Sequence, residues 1–114
     1  MDKLKGNELM SETYFFTENL ETLINEIHPD SIVSRTFYEA DRMKAILFGF
    51  APGQELSEHT AARPAVLHFL TGEADLTLGE DSMSVQSGSF AYKQPHVPHS
   101  IEAHSEVIML LYLL

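Results

Sequence analysis

The chain lacks cysteine and any long hydrophobic run. Without cysteine, disulfides, thiolate metal sites and cysteine nucleophiles are excluded. The longest apolar run, VIMLLYLL at residues 107–114, is far shorter than the roughly 20 residues that a membrane helix needs. The first residues, MDKLKGNELMSETYFF, do not have the apolar stretch of a signal peptide. We therefore expect a cytoplasmic protein with no membrane partner.

Basic residues are also scarce. Seven Lys and Arg residues stand against 17 Asp and Glu residues, which gives a net charge of −10. The seven are scattered along the chain, so no basic cluster offsets this charge. Because affinity for nucleic acid is largely electrostatic, we expect no nucleic-acid partner.

The length of 114 residues, 44% of them hydrophobic, suits one globular domain. Residues 1–17 are polar at their start and are expected to form an N-terminal tail, and residues 18–114 a single domain. Within YFFTENLETLINEIHPD, apolar residues recur at helical spacing, Thr17 can act as N-cap, and Pro29 ends the pattern. The spacing predicts a short α-helix over about residues 18–28, with His28 at its C-terminal end.

From Ser31 onward the pattern changes to short segments rich in β-branched and aromatic residues, separated by glycine and proline turns. About seven or eight strands at this spacing predict an all-β sandwich or barrel. The alternation in ADLTLGEDSMSVQSG predicts a hairpin with one wet face. The aromatic residues are expected mostly in the core; they are Phe37, Tyr38, Phe48, Phe50, Phe69, Phe90 and Tyr92.

Two strand segments, AILFGF and VIMLLYLL, do not alternate between apolar and polar residues. Both faces of these strands should therefore be covered. With only one small helix in the domain, the second cover is expected to come from a partner subunit. The pattern thus predicts a homodimer.

Two glycine-histidine spacings resemble those of the cupin superfamily. Gly53 precedes His59 by five intervening residues and Gly72 lies further on, as in the first cupin block, G-x5-H-x-H-x3,4-E-x6-G. Gly88 and His99 are spaced as in the second block, G-x5-P-x-G-x2-H-x3-N. The resemblance covers roughly residues 20–114. It implies a cupin double-stranded β-helix, a jelly-roll-like barrel with a short N-terminal α-helix.

The resemblance also implies a metal site of three histidines and one glutamate, from which this sequence departs. His59 and His99 match the first and last of these ligands, but Ala61 and Ala65 occupy the second histidine position and the glutamate position. Alanine has no lone pair to donate. His59 and His99 are thus the candidate ligand-pocket and metal residues, and no catalytic residue is identified.

The other histidines are weaker candidates. If position 65 faces the interior, then strand alternation turns His68 to the opposite face, unless a bulge reverses it. His96 takes a turn position and is expected in solvent. His104 lies in a loop and is expected to be structural.

The leading hypothesis is a cytoplasmic cupin that binds a small molecule in its barrel with a degenerate metal site. The alternative is a metal-dependent enzyme, dioxygenase- or isomerase-like, that uses His59, His99 and an unidentified third ligand. In either case, a divalent transition metal (Zn, Fe, Mn, Ni or Cu) at low occupancy is the cofactor that the resemblance allows. Two imidazoles alone make a poor metal site, because catalytic zinc normally has three protein ligands.

Overall fold

Strands dominate the computed structural model, which describes residues 3–5, 8–10 and 13–114. These residues form twelve strands and one short 3₁₀ helix, Leu20–Leu23. The strands are β1 (Lys3–Lys5), β2 (Glu8–Met10), β3 (Phe15–Thr17), β4 (Ile32–Ala40), β5 (Met43–Phe50), β6 (Glu55–His59), β7 (Ala65–Thr71), β8 (Ala74–Leu78), β9 (Asp81–Val85), β10 (Phe90–Lys93), β11 (His99–Ala103) and β12 (Val107–Leu113).

Nine of these strands form two antiparallel sheets. The first has the order β10-β7-β12-β5-β4 and the second the order β6-β11-β8-β9. The predicted hairpin is confirmed as β8 and β9, and its wet face carries a hydrogen bond of 2.6 Å between the hydroxyls of Thr77 and Ser82. The part of the chain expected to be a tail contains β1, β2 and β3, which form a separate three-stranded sheet.

The core lies between the two larger sheets, because both present alternate apolar residues to the same interior. Phe50, Phe69 and Met109 come from the five-stranded sheet, and Leu76 and Ile101 come from the four-stranded sheet. All five side chains are almost completely buried. The all-β sandwich predicted from the strand spacing is therefore the observed architecture.

The α-helix predicted over about residues 18–28 is wrong in extent, since only the 3₁₀ turn Leu20–Leu23 forms. Asn19 rather than Thr17 is its N-cap, because the side-chain oxygen of Asn19 accepts a hydrogen bond from the Glu21 backbone N–H at 3.0 Å. Ile24 is already extended. The Leu23 carbonyl accepts from Arg35 Nη1 at 3.1 Å, so this acceptor is taken by β4 instead of a following helical turn.

His28 accordingly does not end a helix. Its exposed ring lies 3.7 Å from Glu26, and residues 24–31 form an irregular connection to β4. No helix within the described ranges is long and apolar enough to span a membrane.

The outer face of the five-stranded sheet is covered in part by the chain itself. Leu23 packs against the buried Leu47 of β5 and Leu110 of β12, and Leu20 and Ile24 flank this contact. The continuous apolar pattern of β5 and β12 thus reflects an intramolecular cover as well as the core. Farther along the same face, Phe90 is 66% exposed and Tyr92 is 52% exposed, so these two are exceptions to the expectation that the aromatic residues lie mostly in the core.

Candidate functional site

The two histidines predicted from the glycine spacings come together at one end of the four-stranded sheet. His59 ends β6, His99 begins β11, and the two residues are direct partners in the ladder. Their ring centroids are 4.0 Å apart with planes inclined by 59°. The His59 ring is exposed and the His99 ring is buried, so His59 lies between His99 and solvent.

An irregularity in the β6–β11 ladder produces this pairing. Leu56 pairs with Ile101, and three positions further along β6, His59 pairs with His99, only two positions away on β11. Without the extra residue, strict alternation would place His59 on the face opposite to Leu56 and away from His99. The bulge therefore re-aims His59 toward the buried histidine.

The turn before β11 is held by backbone hydrogen bonds from two sides. The His96 N–H donates to the Ala61 carbonyl at 2.7 Å, and the Gly79 N–H donates to the Pro98 carbonyl at 2.8 Å. His96 itself has a positive φ of 69° and an exposed side chain, as expected for a residue at a turn position where the cupin block has glycine. These contacts fix where β11 starts, and so they position His99.

The two histidine rings differ in burial and in hydrogen bonding. His59 Nδ1 lies 2.9 Å from the Ser57 carbonyl oxygen, a hydrogen bond that His59 donates and that leaves Nε2 as its basic nitrogen. His99 is only 5% exposed, and its Nδ1 has no hydrogen-bond partner. Burial, then the charges of His59 and Lys93, lower the pKa of His99 to about 4, although a backbone contact with Val97 opposes the shift. His99 is therefore a neutral imidazole at pH 7.

Lys93 is the member of this site that the sequence did not predict. It ends β10 on the inner face of the five-stranded sheet, opposite Ala65 of β7. Only 3% of the residue is exposed, and Nζ has no hydrogen-bond partner. Burial lowers the pKa of Lys93, and the charge of its amine in turn affects His99. The amine therefore shares the interior with the histidine pair.

His68 lies where alternation places it, on the outer face of the sheet. It pairs with Phe90 across the β7–β10 ladder, with ring centroids 6.5 Å apart. Because Phe90 is exposed on that face, His68 is remote from the barrel interior. It does not serve as a substitute for the missing ligands.

A second polar group lies on the outer face of the four-stranded sheet. Asp75 and Glu102 are ladder partners, and His104 Nε2 contacts Asp75 Oδ2 at 2.9 Å. This hydrogen bond raises the pKa of the exposed His104 ring. The three residues could together hold a metal ion, beside a cleft of about 300 Å³. The cleft is lined by Glu73, Ala74, Asp75, Ser84, Val85, Gln86, Ser89 and His104.

Within residues 13–114, the His59–His99 pair has no comparable third ligand. Among the described side chains, those of residues 13–114, Asp75, Glu102 and His104 are the one trio of His, Cys, Asp or Glu residues whose ligand atoms all lie within 4.8 Å. No carboxylate or third imidazole of the described residues therefore completes a trio with His59 and His99.

Comparison with known proteins agrees with the geometry. The profile of the family described as "Cupin domain" matches residues 46–114. A cupin superfamily protein from Desulfitobacterium hafniense is 26% identical, with a TM-score of 0.77 over 83% of this chain and 86% of that one. A conserved protein of unknown function from Streptococcus pyogenes is 26% identical, with a TM-score of 0.71 over 78% of each chain.

A further structural relative is an RmlC-like cupin from Shewanella frigidimarina, 20% identical, with a TM-score of 0.73 over 94% of this chain and 92% of that one. At this identity the likeness is one of fold. No curated protein matches the chain significantly. The matched profile covers more than half of the sequence, including both histidines, and the sheets have the order described above. On these grounds the chain belongs to the cupin family.

Proposed function

We propose that this cupin binds a small molecule in its barrel without a resident transition metal. The observation that carries the proposal is Lys93, a buried amine on the inner surface, near His99 and opposite Ala65. Ala65 is the position at which the cupin block has a metal-binding glutamate. This end of the barrel therefore has a buried amine, a buried imidazole and an exposed one, with alanine at the two remaining ligand positions.

This donor set does not fit the metal that the family implies. A metal ion needs lone pairs, and the four-ligand pattern retains only His59 and His99. A protonated amine nearby repels a divalent cation, and a neutral amine is a poor substitute for the carboxylate. We therefore assign the three nitrogen groups to ligand binding. We do not propose the metal-dependent dioxygenase or isomerase, because no third ligand in the described residues supports it.

Elemental analysis of protein purified without chelators tests this proposal. We expect far less than one equivalent of zinc, iron, manganese, nickel or copper per chain, with the same value in a His59→Ala/His99→Ala double variant. Near one equivalent in the wild type that disappears in the double variant would contradict the proposal. Any metal that persists in the double variant belongs elsewhere, and an Asp75→Asn/His104→Gln variant tests the outer group.

Mass spectrometry of the undenatured protein tests directly whether a small molecule is bound. We expect a small organic molecule to co-purify with the wild type at a defined stoichiometry. Its loss in Lys93→Met, with retention in the charge-matched Lys44→Met variant, would tie it to the interior. Retention in Lys93→Met would place it outside the proposed site.

We also propose that the protein is a homodimer formed by the outer face of β7 and β10. Val66, His68, Phe90 and Tyr92 are consecutive outward positions on these strands, and both aromatics are exposed. None of these residues is acidic, although the chain carries a net charge of −10. A second copy of so acidic a chain can approach most easily where carboxylates are absent.

A further inference from the structure

Two buried nitrogen atoms of the barrel interior lack hydrogen-bond partners. They are Lys93 Nζ, from the five-stranded sheet, and His99 Nδ1, from the four-stranded sheet. Lys93 is 3% exposed and His99 is 5% exposed, so water at the surface does not satisfy either group. Because buried polar groups are almost always paired in folded proteins, two such atoms in one interior indicate a ligand.

We infer that Lys93 and His99 bind the carboxylate group of a small organic acid. The inference rests on the proposed function, because it names the chemical class of the molecule in the barrel. Lys93 donates from its amine to one carboxylate oxygen. His99 is neutral and donates its Nδ1 hydrogen to the other oxygen.

Among the described residues, Lys93 Nζ has no acceptor, and the only acceptor that His99 contacts is the uncharged Val97 backbone. The residue directly opposite Lys93 is Ala65, which carries no carboxylate, and no acidic residue of the described chain forms a trio with the histidine pair. A ligand carboxylate therefore meets a cation that has no counter-ion of its own. A charge-assisted hydrogen bond of this kind is about twice as strong as one between neutral groups. With two donors, the site matches the two oxygens of a carboxylate rather than the three of a phosphate.

His59 lies between His99 and solvent, and it gives the ligand a second hydrogen-bonding partner. It is exposed, its ring centroid is 4.0 Å from that of His99, and its Nδ1 is held by the Ser57 carbonyl. Nε2 is therefore the nitrogen of this ring that is left to accept a hydrogen bond. A hydroxyl group next to the ligand's carboxylate can donate to this nitrogen. A hydroxy acid thus uses all three side chains.

The test is a titration with sodium acetate, and with acetamide as an uncharged analogue, at constant ionic strength. The melting temperature and the ¹H–¹⁵N spectrum are followed in wild type, Lys93→Met and Lys44→Met. We expect acetate to raise the melting temperature saturably in wild type and in Lys44→Met, with a dissociation constant of roughly millimolar, as fits so small a fragment. Acetamide should have no such effect, and the response to acetate should be lost in Lys93→Met.

Equal responses to acetate and acetamide, a full acetate response in Lys93→Met, or no acetate response in wild type would each overturn the inference. The metal content is measured on the same samples. Stoichiometric metal that depends on His59 and His99 contradicts the proposed function whatever acetate does. Metal-free protein that ignores acetate contradicts only the carboxylate assignment.

Discussion

Lys93 and Ala65 are direct partners on adjacent strands, and both side chains lie on the inner surface of the barrel. The cupin block has a glutamate at the position of Ala65. This chain therefore has no carboxylate there, and the amine of Lys93 lies beside that position. The two differences act in the same direction. Both make the interior less suited to a metal cation and more suited to an anion.

Restoring the carboxylate should therefore restore metal binding. In an Ala65→Glu/Lys93→Met variant, a carboxylate joins His59 and His99 and the neighbouring amine is gone. Three protein ligands are enough for zinc, so we expect about one equivalent to bind and to raise the melting temperature. Calorimetric titration with zinc measures this. Lys93→Met alone is the control, and equal zinc affinity in both variants would show that position 65 does not face the pair.

Removing the buried amine should stabilise the ligand-free protein. In Lys93→Met an apolar chain of similar length replaces an amine that has no partner, which relieves a desolvation cost of about 1–3 kcal/mol. Urea unfolding measures the gain in free energy of unfolding. Lys44→Met is the matched control and should change stability by less than about 0.5 kcal/mol. A destabilised Lys93→Met protein would mean that the amine has a partner inside the fold.

Stability should fall on acidification because His99 is buried as a neutral ring. Its pKa is about 4 in the folded protein and about 6.5 in the unfolded chain, so the unfolded chain binds more protons between these values. The stability is thus fully present above about pH 6.5 and declines toward pH 4. We expect the wild type to lose roughly 2–3 kcal/mol more over this range than a His99→Asn variant.

Urea unfolding of both proteins at several pH values gives the comparison. The readout is the difference in pH dependence, so a change in absolute stability caused by the substitution does not affect it. The carboxylates titrate in both proteins and cancel. Parallel profiles for wild type and His99→Asn would contradict the assignment of a neutral buried ring.

Gly72 should be intolerant of any side chain. Its φ is +88°, and an added Cβ would lie 2.1 Å from the Glu106 carbonyl oxygen, which belongs to the backbone and cannot easily move. We expect Gly72→Ala to cost roughly 2–4 kcal/mol in free energy of unfolding. Gly79 has a φ of +61° but open space around it, so Gly79→Ala should cost only about 1–2 kcal/mol. Similar losses of unfolding free energy in the two variants would show that the positive φ, and not the contact with Glu106, determines the cost at Gly72.

The proposed homodimer predicts a change in mass when charge is placed on its interface. Tyr92→Asp puts a carboxylate on the outer face of β10, and two copies related by a twofold axis would bring such charges together. Light scattering after size exclusion should show the wild type as a dimer and the variant as a monomer. Gln86→Asp, on an exposed position beside β9, should remain dimeric. A monomeric wild type would exclude this interface.

The glycine spacings were the most informative part of the sequence. Gly53, Gly72 and Gly88 all adopt positive φ, which few other residues tolerate, so their positions constrain the chain strongly. Through the cupin resemblance that these spacings carry, the sequence predicted His59 and His99 as a pair, and the two are ladder partners in the structure. The strands that carry these histidines, β6 and β11, did not stand out as strand segments, because both are short and rich in polar residues.

Lys93 could not be predicted because local pattern and tertiary structure conflict in β10. In FAYK, propensity and hydrophobicity favour Phe90 and Tyr92 inside and the lysine outside. The structure has the opposite arrangement, with the aromatics exposed and Lys93 buried. Register with β7 decides the face, and register is a property of two strands, not of one. The N-terminal α-helix was predicted wrongly for a similar reason. The Leu23 carbonyl accepts a hydrogen bond from Arg35 of β4, and this contact depends on tertiary structure rather than on the local sequence.

The position of β12 has a consequence for how the protein forms during synthesis. This strand lies between β5 and β7 and pairs with both along almost its whole length. Until Val107–Leu113 has left the ribosome and paired, β5 and β7 each keep one edge without a hydrogen-bonded neighbour. Such edges bind other extended chains readily. The folding chain therefore depends on β12 for protection of both edges against aggregation.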